Sequence, residues 1–174
     1  MTRLPSRSAF YLAFLVLGVY AQVAQALLIR ESLVAFYGNE VSLGAFFGSW
    51  LLWVAVGSIA ATRWRDRGAA ALGALRAVLL FLPFLLILAL LLFRSVRWVL
   101  SAAAGELVPF GELLAATLVL NVPTGLGIGL AFPLAVQGLR VIEADPMGAD
   151  TPGAVRAASV LYALDALGAF AGGV

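Results

Sequence analysis

The chain has 174 residues, of which 63% are hydrophobic and only 11% charged, and its mean hydropathy is +1.05. A soluble domain, in which roughly 25% of residues are charged, could not bury so much apolar surface, whereas a lipid bilayer accepts an apolar exterior. The net charge of +2 comes from arginine alone, and the arginines are scattered at segment ends, not gathered in the basic stripe of a nucleic-acid-binding protein. Cysteine and histidine are absent, which excludes disulfides, thiol nucleophiles and His-ligated haem or zinc within this chain. We therefore expect a membrane protein with no cofactor, no metal site and no nucleic-acid partner.

Long apolar runs predict an all-α fold, a polytopic transmembrane helix bundle of about five spans that forms a single domain over residues 1–174. The first run has about 21 residues and, at 1.5 Å per residue, crosses a hydrocarbon core of roughly 30 Å. Pro83 lies inside the third run and predicts a kink there. The fifth run is still apolar at Val174, so we expect a truncated span and a fragment of a longer chain. The predicted spans are residues 9–29, 41–62, 69–93, 111–139 and 156–174, with a possible interfacial helix over 94–105.

The first run has a second interpretation, as a secretory signal peptide. Arg3 and Arg7 would form its basic region, and Ala24-Gln25-Ala26 fits a cleavage site of small residues. The run is long for a signal peptide, and further spans follow it, which favours a membrane span.

The distribution of arginine predicts that the N-terminus lies on the inner side of the membrane. With that orientation, eight arginines fall on the inner side and three on the outer side, the bias of the positive-inside rule. The inner loop of residues 140–156 is polar and rich in turn-forming residues. The inner arginines are Arg3, Arg7, Arg63, Arg65, Arg67, Arg76, Arg140 and Arg156, and the outer ones are Arg30, Arg94 and Arg97.

Asp165 is the clearest ionisable residue inside a predicted span, nine residues beyond Arg156. A carboxylate in a span is unfavourable unless it has a partner or a function. One interpretation is a cation or proton site that faces a cavity. The other is a carboxyl group that packs against a neighbouring helix through a hydrogen bond, or that burial keeps neutral.

The fourth predicted span contains residues that weaken a helix. Asn121 and Thr124 would lie beside the resulting break, where freed backbone carbonyls could line a substrate site, as in transporters. Alternatively, Gly125 and Gly129 form a GxxxG face for close helix packing. The residues predicted to break the helix are Pro123, Gly125, Gly127, Gly129 and Pro133.

Two further sets of polar residues are weaker candidates for a site. Gln22 and Gln25 lie one turn apart in the first span. Their position favours hydrogen bonds to another helix, and the alternative interpretation is a contact with a substrate. Glu31 and Glu40 flank the first outer loop and predict either cation capture or an acidic surface paired with its own arginines. The glycines at 125, 127 and 129 follow no predicted strand, which excludes a dinucleotide-binding loop.

Three motifs, in order along the chain, resemble the membrane-integrated spermidine synthase-like family. The first is Gln25-Ala-Leu-Leu-Ile-Arg30-Glu31, followed by the Phe-Tyr-Gly-Asn-Glu run of residues 36–40. The second is the Gly-rich stretch that ends in Phe132-Pro133-Leu134. The third is the Tyr-Ala-Leu-Asp run of residues 162–165 with the glycines that follow it.

The resemblance implies a membrane region that usually precedes a soluble aminopropyltransferase domain. That soluble domain carries the catalytic carboxylates and the cofactor loop in the family, and none of its motifs occurs in these residues. The resemblance therefore implies no catalytic residue in this segment, and it leaves open whether the protein is an enzyme.

Two functions follow from the residues and the resemblance. The first is a scaffold or anchor in the bacterial inner membrane that holds a soluble domain or partner subunits at its inner loop. The second is part of a transporter or channel for a small cationic solute such as a polyamine, with Asp165 as the counter-charge. Either function implies the lipid bilayer as a partner, together with other membrane subunits, a homo-oligomer or a covalently following soluble domain.

Overall fold

The structure is a computed structural model that describes residues 7–38, 40–64, 68–103, 105–143 and 152–173. These residues form six α-helices and a short 3-10 helix, without a strand. The predicted all-α helical bundle is therefore confirmed. The helices are α1 (Arg7–Ala35), α2 (Glu40–Ala61), the 3-10 helix (Thr62–Trp64), α3 (Gly68–Val99), α4 (Phe110–Leu120), α5 (Val122–Glu143) and α6 (Pro152–Gly173).

Four helices are long and apolar enough to cross a membrane, as a multi-pass membrane protein requires. Large apolar side chains cover their outer faces, and Ile59 of α2 and Phe84 of α3 are 69% and 63% exposed. In water such a surface would promote aggregation, but in a bilayer it contacts lipid. The apolar stretch of α6, Ala158–Gly173, is shorter and corresponds to the predicted fifth span. The four membrane-length stretches are Ser8–Ala35, Glu40–Ala61, Ala70–Val99 and Val122–Leu139.

Helix pairs that are distant in sequence form the bundle. α1 packs mainly against α6, and α5 packs against both α2 and α3. Both glycine-rich pairs run parallel, because later residues of one helix contact later residues of its partner. Gly18 of α1 lies against Asp165, and Gly172 lies against Val19 and Gln22.

Glycine permits backbone-to-backbone contact in both pairs. A Cβ atom at Gly18 or Gly168 would overlap a carbonyl oxygen of the partner helix in the α1–α6 pair. The same holds for Gly57 and Gly129 in the α2–α5 pair. In each pair one helix contributes a single glycine and the other contributes glycines four residues apart, the small-residue arrangement of membrane helices.

Two buried apolar clusters fill the interior. One lies between the first turns of α1 and α3, the second half of α5 and part of α6, with Phe14, Leu134 and Leu161 at its centre. The other lies towards the opposite end of the bundle, around Phe46 and Phe93. Through these clusters α3 packs against both α1 and α5 and so joins the two glycine-packed pairs.

The structure corrects two predicted elements. Residues 111–139, predicted as one span with a break among its prolines and glycines, form two helices that meet earlier, because α4 ends at Leu120 and α5 starts at Val122. The separate interfacial helix over 94–105 is wrong, because α3 continues through Pro83 to Val99 and the described residues of 100–109 are not helical. Arginine and tryptophan near the end of a long helix therefore gave a false signal for a second one.

The Arg97 side chain joins the two loops at this end of the bundle. Its guanidinium donates to the carbonyl oxygens of Ala35, 3.0 Å away, and of Ala103. It also lies 4.4 Å from the centre of the Tyr37 ring, a cation–π contact. The Tyr37 hydroxyl accepts from the Gly105 amide at 2.7 Å, so the α1–α2 turn and the α3–α4 segment form one surface.

Candidate functional site

The joint between α4 and α5 lies directly before the residues that the sequence analysis predicts to break the helix. Asn121 separates the helices but keeps helical dihedral angles, with φ −83° and ψ −8°. Its backbone amide donates to the Thr117 carbonyl oxygen at 3.1 Å, and its backbone carbonyl accepts from the Gly125 amide at 2.9 Å. The interruption therefore spans a single residue, and α4 and α5 follow one path along α2.

A tryptophan of α2 satisfies one of the backbone groups that the joint releases. The carbonyl of Leu118, in the last turn of α4, accepts a hydrogen bond of 2.6 Å from the Trp53 indole nitrogen. In a bilayer the last carbonyls of a helix need such a partner, because no water is present to supply one. Trp53 thus anchors the end of α4 to α2.

The Asn121 side chain is fully buried and ties the joint to α2. Its amide nitrogen donates to the Ser49 hydroxyl at 2.6 Å and to the Phe46 carbonyl at 3.3 Å. The Ser49 hydroxyl in turn donates to the same Phe46 carbonyl at 2.9 Å. This small network positions the Asn121 amide plane.

Two polar atoms of the joint have no hydrogen-bond partner in the described part of the chain. They are Asn121 Oδ1 and Thr124 Oγ1, and both residues are fully buried. An unpaired buried polar group destabilises a fold by about 1–3 kcal/mol. Each of these two atoms could accept a hydrogen bond from a further group without breaking a described one.

The predicted break at the glycines and prolines is wrong, since α5 is helical from Val122 to Glu143. Pro123 lies in the first turn of α5, where a helix has no internal partner for its amides. Gly125 and Gly129 lie against Trp53 and Val54 of α2, as the close-packing interpretation requires, and Gly127 faces Leu82 of α3. The residues predicted to break the helix, all of which lie within α5, are Pro123, Gly125, Gly127, Gly129 and Pro133.

Pro133 interrupts the backbone hydrogen bonds of α5 without breaking the helix. A proline has no amide hydrogen, so the carbonyl four residues earlier, at Gly129, loses its helical donor. The Ser58 hydroxyl of α2 donates to that carbonyl at 3.1 Å. The sequence analysis missed Ser58 because its partner lies 71 residues away and no local pattern links them.

The structure does not assemble the predicted ligand residues into one site. Asp165 is partly buried in the α1–α6 pair, whereas Asn121 and Thr124 lie against α2. Gln22 packs on Gly172 and Gly173 of α6. No hydrogen bond to the side chains of Asp165, Gln22 or Gln25 is formed among residues 7–38, 40–64, 68–103, 105–143 and 152–173.

The outer acidic residues are also separate from the joint. Glu31 forms a bidentate contact with Arg94, with distances of 2.9 and 3.2 Å between nitrogen and oxygen atoms. Glu40 is exposed at the start of α2, where a negative charge interacts favourably with the helix dipole. The contact between Glu31 and Arg94 agrees with an acidic surface paired with its own arginines.

Three cavities among the described residues are lined almost wholly by apolar groups. One of about 360 Å³ lies beside the joint, between Val78, Phe81 and Leu85 of α3 and Pro123 and Leu126 of α5. No group of three or more acidic side chains lies close enough to hold a metal ion within the residues that the structure describes. Asn121 and Thr124 line none of these three cavities.

Further polar side chains that the sequence analysis did not single out also bond to the backbone of another helix. The Tyr20 hydroxyl of α1 donates to the Leu82 carbonyl of α3 at 2.6 Å, next to Pro83. The Gln137 amide of α5 donates to the Ala61 carbonyl at 3.3 Å. Local sequence gives no signal for these two bonds, because each joins residues more than 60 positions apart.

Known proteins give no further information on this site. No protein-family model, no curated protein and no solved structure matches the chain.

Proposed function

We propose that this chain is a membrane-embedded scaffold that holds a soluble domain or partner subunits at the inner face of a bacterial inner membrane. The observation that carries the proposal is the use of polar side chains for helix packing. Ser58, Trp53 and Tyr20 each donate to a backbone carbonyl of another helix. Such bonds fix helices in place, which suits a static anchor more than a chain that opens and closes around a solute.

The resemblance to the spermidine synthase-like family supports the same proposal. In that family the membrane region usually precedes a soluble aminopropyltransferase domain. The inner loop, residues 140–156, is the proposed contact region because it is polar and joins the two packed halves of the chain. Residues 144–151 of this loop lie outside the described part of the structure. The proposal gives the membrane segment no catalytic role.

The proposal is tested by photo-crosslinking in native membranes. A photoreactive amino acid at Gly148, in the inner loop, is compared with one at Leu107, which is 69% exposed at the opposite end of the bundle. We expect Gly148 to crosslink to a soluble domain or a stoichiometric subunit and Leu107 to remain uncrosslinked. The same complex should survive gentle detergent extraction. A chain that is recovered alone at its monomer mass, without crosslinks from Gly148, would contradict the scaffold.

A second candidate, part of a polyamine transporter or channel, is favoured by the unpaired oxygens of Asn121 and Thr124. Oxygen atoms buried at a helix discontinuity are the kind of ligand that such proteins offer to a cation. However, a buried cation needs a counter-charge, and Asp165 lies in the other glycine-packed pair. The scaffold is therefore the better supported function.

The transport candidate is tested with Asp165→Asn in proteoliposomes that contain the full chain. Spermidine uptake and protein abundance are measured together. Loss of uptake at normal abundance would support transport with Asp165 as counter-charge. Loss of abundance alone indicates a packing role, and unchanged values for both remove Asp165 from the candidate site.

A further inference from the structure

A partly enclosed slot of about 130 Å³ lies between the first turns of α1 and α3. Two small residues one turn apart, Ala9 and Ala13, create it on the α1 side, and Leu72 and Leu79 line it on the α3 side. Phe10 and Phe14 also line it, and their rings stack at 6.1 Å between centres while remaining only 5% and 1% exposed. The inner wall of the slot is therefore formed by buried, stacked aromatic rings.

The side chains that line the slot determine which kind of chemical group can occupy it. Seven of its eight lining residues are apolar, and a water molecule there would find too few of the hydrogen-bond partners that it needs. The volume is about ten times the minimum that holds one water molecule. A flexible hydrocarbon segment fits both the size and the lining.

Arg76 is the exception, because it is the one charged residue among those that line this apolar slot. The residue is exposed and lies six positions after Ala70, where the membrane-length stretch of α3 begins. That spacing corresponds to about 9 Å of helix, and a long arginine side chain, which tilts towards the helix N-terminus, covers most of that distance towards the headgroup region. A phosphate group there matches the planar, multidentate donors of arginine.

We propose that the slot and Arg76 together bind one anionic phospholipid, with an acyl segment along Ala13 and Leu79 and the phosphate at Arg76. The lipid comes from the leaflet that faces the N-terminal ends of α1 and α3. A small soluble phosphate would use only the guanidinium and would leave the apolar slot unfilled. The proposal therefore assigns a lipid, not a free anion, to this site.

The test measures lipid bound to the purified full chain in detergent by native mass spectrometry. The probes are dioleoyl phosphatidylglycerol and dioleoyl phosphatidylcholine, which share acyl chains and differ in charge. We expect the anionic lipid to bind about fivefold more tightly, the gain that one arginine near a membrane surface gives. Arg76→Gln should abolish this preference. Arg63→Gln, an exposed arginine of the 3-10 helix that does not line the slot, is the matched control and should retain it.

A second pair of variants tests the slot independently of charge. Ala13→Leu should reduce binding of both lipids, because the added side chain occupies the space of the acyl segment, and Ala9→Leu provides the same test if Ala13→Leu fails to fold. Helical circular dichroism and the unfolding temperature report the fold of each variant. Equal binding of the two lipids to the native chain would overturn the proposal, as would an equal loss in Arg63→Gln. Displacement of phosphatidylglycerol by inorganic phosphate would identify a free-anion site instead.

Discussion

Ser58, Gly129 and Pro133 form a unit in which one residue compensates for another on a different helix. Pro133 removes a backbone donor from α5, and the Ser58 hydroxyl of α2 supplies a replacement at 3.1 Å. The same residues place two helices against each other, because the hydroxyl reaches the carbonyl only where Gly129 allows close contact. The proline thus contributes to the specificity of the α2–α5 pair.

Ser58→Ala should lower the free energy of unfolding by about 1 kcal/mol in the native sequence, since it leaves the Gly129 carbonyl unpaired. In a Pro133→Ala background the restored amide can serve that carbonyl, and the effect of Ser58→Ala should fall close to zero. Unfolding in mixed detergent micelles, titrated with dodecyl sulfate, measures all four members of this double-mutant cycle.

Ser95→Ala is the matched control for this cycle. The Ser95 hydroxyl donates to the Leu92 carbonyl of its own helix through an exposed hydrogen bond, so its removal should change little. Equal effects of Ser58→Ala in the two backgrounds would show that the proline and the serine are independent.

The sequence predicts the residue-scale features only where a local pattern reports them. The cluster of proline and glycine after Asn121 predicts a break nearby, but it places that break in residues that are helical, whereas the interruption lies at Asn121. Its bonds to Ser49 and Phe46 could not be predicted, since those residues are more than 70 positions away. Asp165 stands out in any apolar run, but its distance from Asn121 depends on how helices assemble, which composition does not encode.

At the scale of the helices, the glycine contacts divide the bundle into an α1–α6 pair and an α2–α5 pair. At each contact the two backbones approach so closely that even one methyl group would overlap a carbonyl oxygen. Dispersion and weak polar contacts act at this short range, and they replace the hydrophobic effect that drives helix packing in water.

Gly129→Ala should therefore destabilise the protein by about 1–3 kcal/mol, because the added Cβ meets the Val54 backbone of α2. Gly73→Ala is the matched control within α3, where nothing lies within 4 Å of the added atom. It should be neutral or stabilising by about 0.5–1 kcal/mol through helix propensity. Thermal unfolding in detergent compares the two, and a similar effect of both substitutions would argue against close packing at Gly129.

The sequence predicts well where helices form, but it predicts poorly where each helix ends. An apolar run of about 20 residues must pair its backbone groups internally in a bilayer, so it is helical whatever its neighbours are. The end of α3 at Val99 and the α4–α5 joint depend instead on contacts such as those of Arg97 and Trp53. These contacts join residues more than 60 positions apart, and the apolar pattern carries no trace of them.

For the whole molecule, the orientation in the membrane remains a prediction from the arginine distribution. The chain has no cysteine, so a single introduced cysteine reports one position without interference. A membrane-impermeant maleimide added to intact cells should label Leu107→Cys, in the α3–α4 segment, and should not label Thr62→Cys, in the 3-10 helix. The reverse pattern would place the N-terminus outside and would move the lipid slot to the outer leaflet.

Because α1 and α6 lie far apart in the sequence, their packing can form only late in the synthesis of the chain. Gly18 and Gly168 are 150 positions apart (168 minus 18), so the contact surface of α1 emerges long before its partner. At roughly 5–20 residues per second, ribosomes need about 8–30 s to produce the intervening chain. During that interval α1 sits in the insertion machinery or the bilayer with its glycine face covered only by lipid or by a chaperone. Newly made chains should therefore be most vulnerable to membrane proteases before α6 has been inserted.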